Sequence, residues 1–309
     1  MVERFGVITN CTARKRSIEP VARLQPSDLK GSAANIAARW FQTTAAIDSL
    51  TAVGDLYLGR AMVESKAVAS QLDGSLHVIS AGLGLKAQNE RVPNYDITVA
   101  SGPGSLFPAL ARAGSTAADW WQELNAIRGS PMPLSHLINL RGETRFLLAL
   151  PSAYVDMLSH DLERIKDDAL DRLYIFTSNS GSKLVSDRLV RCILTYDERL
   201  EGHPGYAGTR SDFPQRAMRH FVEQLQGHRL THTSAQDAVQ ACLHSLKRPL
   251  IPHRERKSDS EILELLRVQW TNHAGSSSRL LRYLRDTALV ACEQSRFGGL
   301  WRQVKAETR

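Results

Sequence analysis

The chain has 309 residues, is 42% hydrophobic with only 6% aromatic side chains, and carries 39 Lys plus Arg against 32 Asp plus Glu, a formal charge of +7. That length and apolar content can bury one large core, or one core with a smaller appendage. No apolar run approaches the roughly 18 residues of a membrane span, and Met1-Val-Glu-Arg-Phe-Gly lacks the basic-then-apolar order of a signal peptide, so a soluble, cytoplasmic protein with no membrane partner is expected.

Phe5-Gly-Val-Ile-Thr9 is an apolar, β-branched run that stops at Asn10-Cys11-Thr-Ala-Arg14-Lys15-Arg16. A buried parallel strand that delivers a loop to the carboxyl edge of an α/β sheet has this form, and ligands bind at that edge. A helical pattern over Ser32–Ile47 sets Ile36, Ala37 and Trp40 on one side, and a second helix is expected from about Leu56 to Leu72. A strand over 75–81, His77-Val-Ile-Ser80 at its centre, runs into Ala-Gly82-Leu-Gly84-Leu85. The stretch from Gly82 to Gly104 is punctuated by Gly and Pro yet contains Val92, Tyr95, Ile97 and Val99, which reads as an ordered functional loop.

The alternation continues with a helix over Ala117–Ala126, where one of Trp120 and Trp121 is expected in the core and the other on the surface. Strands follow at Thr144–Leu150, Leu173–Phe176 and Val190–Tyr196. A helix opened by Pro151 runs from Tyr154 to about Ile165, and another over Pro214–Gln226 carries an Ala217, Phe221, Leu225 stripe.

The last part changes character. From Lys247 to Arg309 there are 13 basic against 7 acidic residues, nearly the whole net charge of the chain. Helical patterns over Ser234–Leu246 and Ser260–Trp270, a glycine turn at Gly275 and a serine-led basic helix from Ser276 outline a helix-turn-helix. Arg279, Arg282 and Arg285 recur every three residues and share a helix face, so with Arg296 they are candidate DNA-phosphate contacts. An ordinary helical subdomain with a Leu280, Leu281, Leu284 stripe is the alternative. The expected division is residues 1–232, an α/β pocket domain, and 233–309, a basic helical part.

Cys11, Cys192, Cys242 and Cys292 form no C-x-x-C, so neither a zinc site nor a disulfide framework is indicated, and no metal or cofactor is expected. Gly82-x-Gly84 lacks the third glycine of a dinucleotide fingerprint, and Ser80 is in no G-x-S-x-G elbow. Residue types nominate a nucleobase site. Asp96, with Glu90 as the spare carboxylate, would stabilise a cationic sugar or orient water. Asn10 would read a base edge, Tyr95 would hold the base, Lys15 and Arg60 would hold phosphate, and the Gly82 and Gly84 backbone would permit close approach. Cys11 lies near Lys15 and Arg16, a setting that activates thiols. Each role has a structural alternative: a local cap for Asp96, a core aromatic for Tyr95, a small buried residue for Cys11.

Cys11-Thr-Ala-Arg-Lys15-Arg16, Tyr57-Leu-Gly59-Arg60, Ser80-Ala-Gly82-Leu-Gly84-Leu and Val92-Pro-Asn-Tyr95-Asp96 resemble the motifs of a bacterial and phage family of unknown function. That family is similar to the catalytic core of archaeosine synthase and, more distantly, to the uracil-DNA-glycosylase-like fold. The resemblance covers roughly residues 3–110. It implies a parallel-rich, three-layer α/β sheet domain, to which the helix-turn-helix-like carboxy-terminal part read above would be joined, and a nucleobase pocket built from Asn10, Cys11, Lys15, Arg16, Tyr57, Arg60, Ser80, Gly82, Gly84, Tyr95 and Asp96. It further implies an enzyme like the phage-defence DNA glycosylases, which excise a hypermodified cytosine, such as a glucosylated hydroxymethylcytosine, and leave an abasic site. The Gly-Gln-Asp-Pro-Tyr motif of ordinary uracil glycosylases is absent, with Asn10-Cys11 in that region. A transferase acting on a deazaguanine-like base and a non-catalytic DNA-binding or nucleotide-sensing module are the alternatives. The expected partner is nucleic acid, DNA ahead of RNA, and a monomer is favoured over an obligate oligomer.

Overall fold

The computed structural model describes residues 4–100, 104–142, 144–248 and 253–308, which divide into two compact units at 248/249. The expected division at 232/233 falls inside the helix His232–Ser245, after its first residue, and that helix buries Ala235, Val239 and Leu243 in the core of the first unit.

The strands of the first unit are β1 (Arg4–Asn10), β2 (Val21–Ala22), β3 (Leu50–Ala52), β4 (Ser75–Ser80), β5 (Gly84–Ala87), β6 (Arg91–Tyr95), β7 (Thr144–Ala149) and β8 (Leu173–Phe176). A five-stranded sheet has the order β5-β4-β1-β7-β8. The β4, β1, β7 and β8 strands run parallel and β5 returns antiparallel along β4. Residues Gly6–Asn10, Leu76–Ser80, Phe146–Ala149 and Leu173–Phe176 are buried without alternation, as expected for parallel strands covered on both faces. This is an α/β domain with a mixed sheet. The chain leaves β1 towards β4 on one side and reaches β7 on the other, so the β1/β7 boundary is a switch point, the place at which open α/β sheets commonly bind ligands.

Local signals explain most of the helices. Ser32 accepts from the Asn35 amide while the Asn35 side chain answers at the Ser32 backbone, which starts the helix Ala33–Ala45 and buries Ile36, Ala37 and Trp40. Thr116 and Asp119 cap Ala117–Ala126 in the same way. On one sheet face, the helices Arg60–Gln71 and Phe213–Glu223 pack together, and the buried Glu64 carboxylate accepts from Arg60 at 2.7 Å and Arg219 at 2.8 Å.

Several expectations are corrected. The helix foreseen from Leu56 to Leu72 is two elements, Val53–Leu56 and Arg60–Gln71. Tyr57 pairs instead with Lys15 in an antiparallel bridge, and Gly59 turns the chain with φ +103°. The segment 82–104, foreseen as a loop, contains β5 and β6, and β6 joins β2 and β3 in a separate three-stranded sheet. Val190–Tyr196 is no strand: it gives one parallel bridge, Ile193 to Ile175, before Asp197 caps a 3₁₀ turn. Both Trp120 and Trp121 are buried, their Nε1 atoms donating to the Ala81 carbonyl at 2.8 Å and to Asp161 Oδ2 at 3.0 Å. The Tyr154–Ile165 helix is replaced by Ser152–Met157 and Ser159–Leu162.

The second unit contains the helices Asp259–Gln269, Ser277–Arg282 and Gln294–Glu307, a π turn at Tyr283–Thr287, and a small parallel pair, β9 (Glu255–Arg256) with β10 (Val290–Ala291). Ser258 caps the first helix, and Ala274 and Gly275, both at positive φ, turn the chain ahead of the second. Leu280 and Leu284 lie in its core, whereas Leu281 is only partly buried. Among the described residues, no helix is long and apolar enough to cross a membrane.

His220 lies fully buried in the first unit, with Nδ1 against the Tyr196 hydroxyl at 2.9 Å. Burial, and then the neighbouring His203, hold its pKa down at about 4 from 6.5 against the pull of Glu223. A folded-state pKa below the unfolded value means that the neutral ring supports folding above pH 6.5, and that this support is lost as pH falls from 6.5 through about 4. A His220→Asn variant is expected to lose less Tm than the wild type between pH 7 and pH 4.5 in scanning calorimetry; equal losses would show that this ring does not contribute.

Candidate functional site

At the end of β1 the backbone is held by β4, with Cys11 N donating to the Ile79 carbonyl at 2.8 Å. The Cys11 thiol is buried and lies 2.9 Å from the Tyr154 hydroxyl and 3.5 Å from the Ala81 amide. Tyr154 also donates to the Cys11 carbonyl at 3.3 Å. This tyrosine stands in the turn of helix that follows β7, on the far side of the switch point.

Asn10 donates to the Cys11 carbonyl at 2.8 Å, and its Oδ1 accepts from Gln215 Nε2, also at 2.8 Å. Both ends of the amide are therefore engaged by the protein. Gln215 Nε2 additionally reaches Thr9 Oγ1 at 3.1 Å and the Ala149 carbonyl at 2.9 Å, tying β1 to β7, while its buried Oε1 has no partner among the described residues.

Beside Cys11 three hydroxyls close a triangle: Tyr57 to Ser80 at 3.1 Å, Tyr57 to Tyr95 at 3.0 Å and Ser80 to Tyr95 at 2.7 Å. Ser80 Oγ also accepts from the Gly82 and Leu83 amides at 3.3 and 3.0 Å. Burial is the first cause that pushes the Tyr57, Tyr95 and Tyr154 pKa values up, and the charge of a Cys11 thiolate pushes in the same direction. The three phenols stay neutral and available as donors.

Lys15 extends over this layer, its Nζ 4.2 Å from the centre of the Tyr95 ring. Burial lowers its pKa, opposed by the attraction of Cys11 and then of Asp96. Asp96 follows β6, its amide donating to the Ala22 carbonyl at 2.9 Å, and its half-exposed carboxylate lies 3.6 Å from Arg23. The arrangement is graded: neutral hydroxyls and a thiol inside, a cation over an aromatic ring above them, and a carboxylate at the rim.

The structure thus brings together Asn10, Cys11, Lys15, Tyr57, Ser80 and Tyr95, with Asp96 near enough for its charge to raise the Lys15 pKa. It does not bring Glu90, which accepts from the Ala87 amide at 2.8 Å and pairs with Lys86 beyond the end of β5 that lies opposite His77. Arg60 is spent on Glu64 and on the Gly205 and Ala207 carbonyls, so it anchors the chain near 206 and is not placed to hold phosphate. Arg16 is exposed, and its amide donates to the Leu56 carbonyl. The close approaches at the glycines are made by protein. A Cβ on Gly82 would lie 2.8 Å from the Tyr95 ring, and one on Gly84 2.2 Å from Asn125 Oδ1.

The structure adds Tyr154, Gln215, Trp40 and Trp120 to the residues expected from the sequence. Trp40 Nε1 donates to the Gly82 carbonyl at 2.6 Å and Trp120 to the Ala81 carbonyl, which fixes the turn after β4. For Tyr154 there was a signal, its place just after a strand end at Pro151; for Gln215, inside a helix, there was none.

In the second unit Arg282 and Arg285 line a groove, whereas Arg296 is tied to Asp259 at 2.7 Å and to the Lys257 carbonyl at 2.8 Å. Arg279 is exposed outside that groove. Among the described residues, no group of three or more His, Cys, Asp or Glu side chains is placed to hold a metal ion.

Removing the Tyr95 hydroxyl leaves the Tyr57 and Ser80 hydroxyls without a shared partner, at a cost of about 1–3 kcal/mol. Tyr95→Phe is expected to lower urea stability by that amount. No change would mean that the triangle does not hold the layer together.

Comparison with protein-family models, with curated proteins and with solved structures finds no match to this chain.

Proposed function

We propose that the first unit is a DNA glycosylase acting on a modified base at the carboxyl ends of β1 and β4. The observation that carries this reading is the convergence of four separate motif segments, around residues 11–15, 57, 80–82 and 95–96, on one graded polar cluster. Their resemblance to nucleobase-handling proteins and their place at the strand ends support the same ligand class.

Cleavage of an N-glycosidic bond develops positive charge on the sugar and negative charge on the departing base. In this reading the Asp96 carboxylate, exposed at the rim, faces the sugar and stabilises its cation or orients the attacking water. Lys15, whose proton is loosened by burial, donates to the base as it leaves, since an acid with a pKa nearer the working pH transfers its proton more readily. The Tyr95, Tyr57 and Ser80 layer supports Lys15 from beneath. The second unit adds sequence-independent affinity through its basic residues.

A second reading rests on Cys11 and Lys15 lying close together: a transferase that modifies a deazaguanine-like base, with the thiol as nucleophile. It requires a co-substrate amine, which the hydrolase does not.

The test is incubation of the full chain with unmodified and phage-modified DNAs, alkaline cleavage to reveal abasic sites, and mass spectrometry of the released base. Abasic sites and a free modified base are expected. Asp96→Asn and Lys15→Met should each lower the rate by at least about 100-fold with folding intact. Full activity of Asp96→Asn would remove its role, and intact DNA across the panel, with turnover only when an amine is supplied, would favour the transferase.

A further inference from the structure

The second unit has its own core of Ile262, Leu266, Leu280, Leu284, Phe297 and Val304, and one side of it opens into a groove of about 630 Å³. That volume falls in the range of about 300–1,000 Å³ typical of small-ligand sites. Arg254, Arg282, Arg285 and Arg302 line it, with Asp286 as the one carboxylate. Two of these arginines are committed: Arg254 to Asp286 at 3.2 Å and to the Arg285 carbonyl at 2.8 Å, and Arg285 to the Cys292 carbonyl at 3.1 Å. Arg282 and Arg302 make no hydrogen bond or ion pair among the described residues. They come from two different helices and meet at one concavity, whose apolar wall is Leu281, Phe297 and Trp301.

Two unpaired guanidinium groups beside an apolar wall match a ligand with an anionic end and a flat apolar body. A guanidinium presents a planar fork of donors that suits phosphate oxygens, and a nucleobase buries a π face against apolar side chains. Shape narrows the ligand further. A duplex major groove, about 12 Å wide, takes in a protruding helix, whereas here the arginines converge on a hollow, which takes in a protruding group. The π turn at Tyr283–Thr287 directly after Ser277–Arg282 also ends the regular helix that major-groove reading would need.

We propose that this groove binds a nucleoside phosphate that is not base-paired, its phosphate held by Arg282 and Arg302 and its base resting on Leu281, Phe297 and Trp301. The ligand is either an unpaired nucleotide of a strand or a free mononucleotide. The inference uses no residue of the first unit and stands apart from the reaction proposed there.

The experiment measures fluorescence anisotropy of the full chain with labelled dT10 and with a labelled duplex of equal length, with unlabelled thymidine monophosphate as competitor. The variants are Arg282→Gln/Arg302→Gln, whose side chains carry no hydrogen bond or ion pair among the described residues, and Trp301→Phe, which keeps an aromatic ring in the wall but loses the indole bond to the Gly275 carbonyl. The expected result is tighter binding of dT10 than of the duplex, and a loss of dT10 affinity of at least about tenfold in the double arginine variant with its circular dichroism unchanged. Competition by the mononucleotide would identify a site for free nucleotides, and its failure alongside the arginine-dependent loss would identify a site for an unpaired nucleotide of a strand. Unchanged affinity in the folded double variant, preference for duplex, or no binding of either dT10 or the mononucleotide would overturn the proposal. Failure of the glycosylase assay would leave this readout unaffected.

Discussion

The central strand β1 is hydrogen-bonded along both edges, to β4 and to β7, and is buried on both faces from Gly6 onward. Where such a strand ends, its polar groups have no water to turn to, and each unmet bond costs on the order of 1–3 kcal/mol. The end of β1 therefore gathers partners from distant parts of the chain: the Ile79 carbonyl for the Cys11 amide, Tyr154 for its thiol, and Gln215 for Asn10. The candidate site is built from these obligations.

From that point charge is graded outward. The Tyr57, Ser80 and Tyr95 hydroxyls satisfy one another, so no charge is needed in the buried layer. The first cation, Lys15, stands on the Tyr95 ring, where burial weakens its hold on a proton, and the first carboxylate, Asp96, stands at the solvent boundary. The fully buried Arg216 is held by Asp212 at 2.6 Å and Glu201 at 2.8 Å. Lys15 and Asp96 are thus the charged groups that border the neutral layer.

Legibility followed burial. The β1, β4, β7 and β8 strands could be read because a strand covered on both faces is apolar at nearly every position. The β5 and β6 strands could not, because Gly84-Leu-Lys-Ala and Arg91-Val-Pro-Asn-Tyr are short, half-buried and broken by Gly, Lys and Pro. Val190–Tyr196 misled for the opposite reason: Cys192, Ile193, Leu194 and Tyr196 are buried, but Val190 ends a short helix and the chain turns away after a single bridge to Ile175. Trp120 and Trp121 both went inside because each indole found an acceptor, one on Ala81 and one on Asp161, and no local pattern reports a partner some 40 residues away.

The sequence by itself determined the strand-then-polar-loop pattern at Asn10–Arg16 and Ser80–Gly84, the types of residue offered there, and the concentration of positive charge in the last fifth of the chain. These are local properties, set by hydrophobic runs, turn residues and charge counts. Which of those residues share a site was decided only by tertiary structure. Arg60 and Glu90 were drawn into structural pairs, Tyr154 and Gln215 were brought in across the β1/β7 boundary, and in the second unit Arg296 was drawn into a pair with Asp259 while Arg282 and Arg302 came to line one groove. A buried polar group takes whichever partner the fold places within bonding distance, and that distance is set by strand pairing and helix packing between residues far apart in the chain.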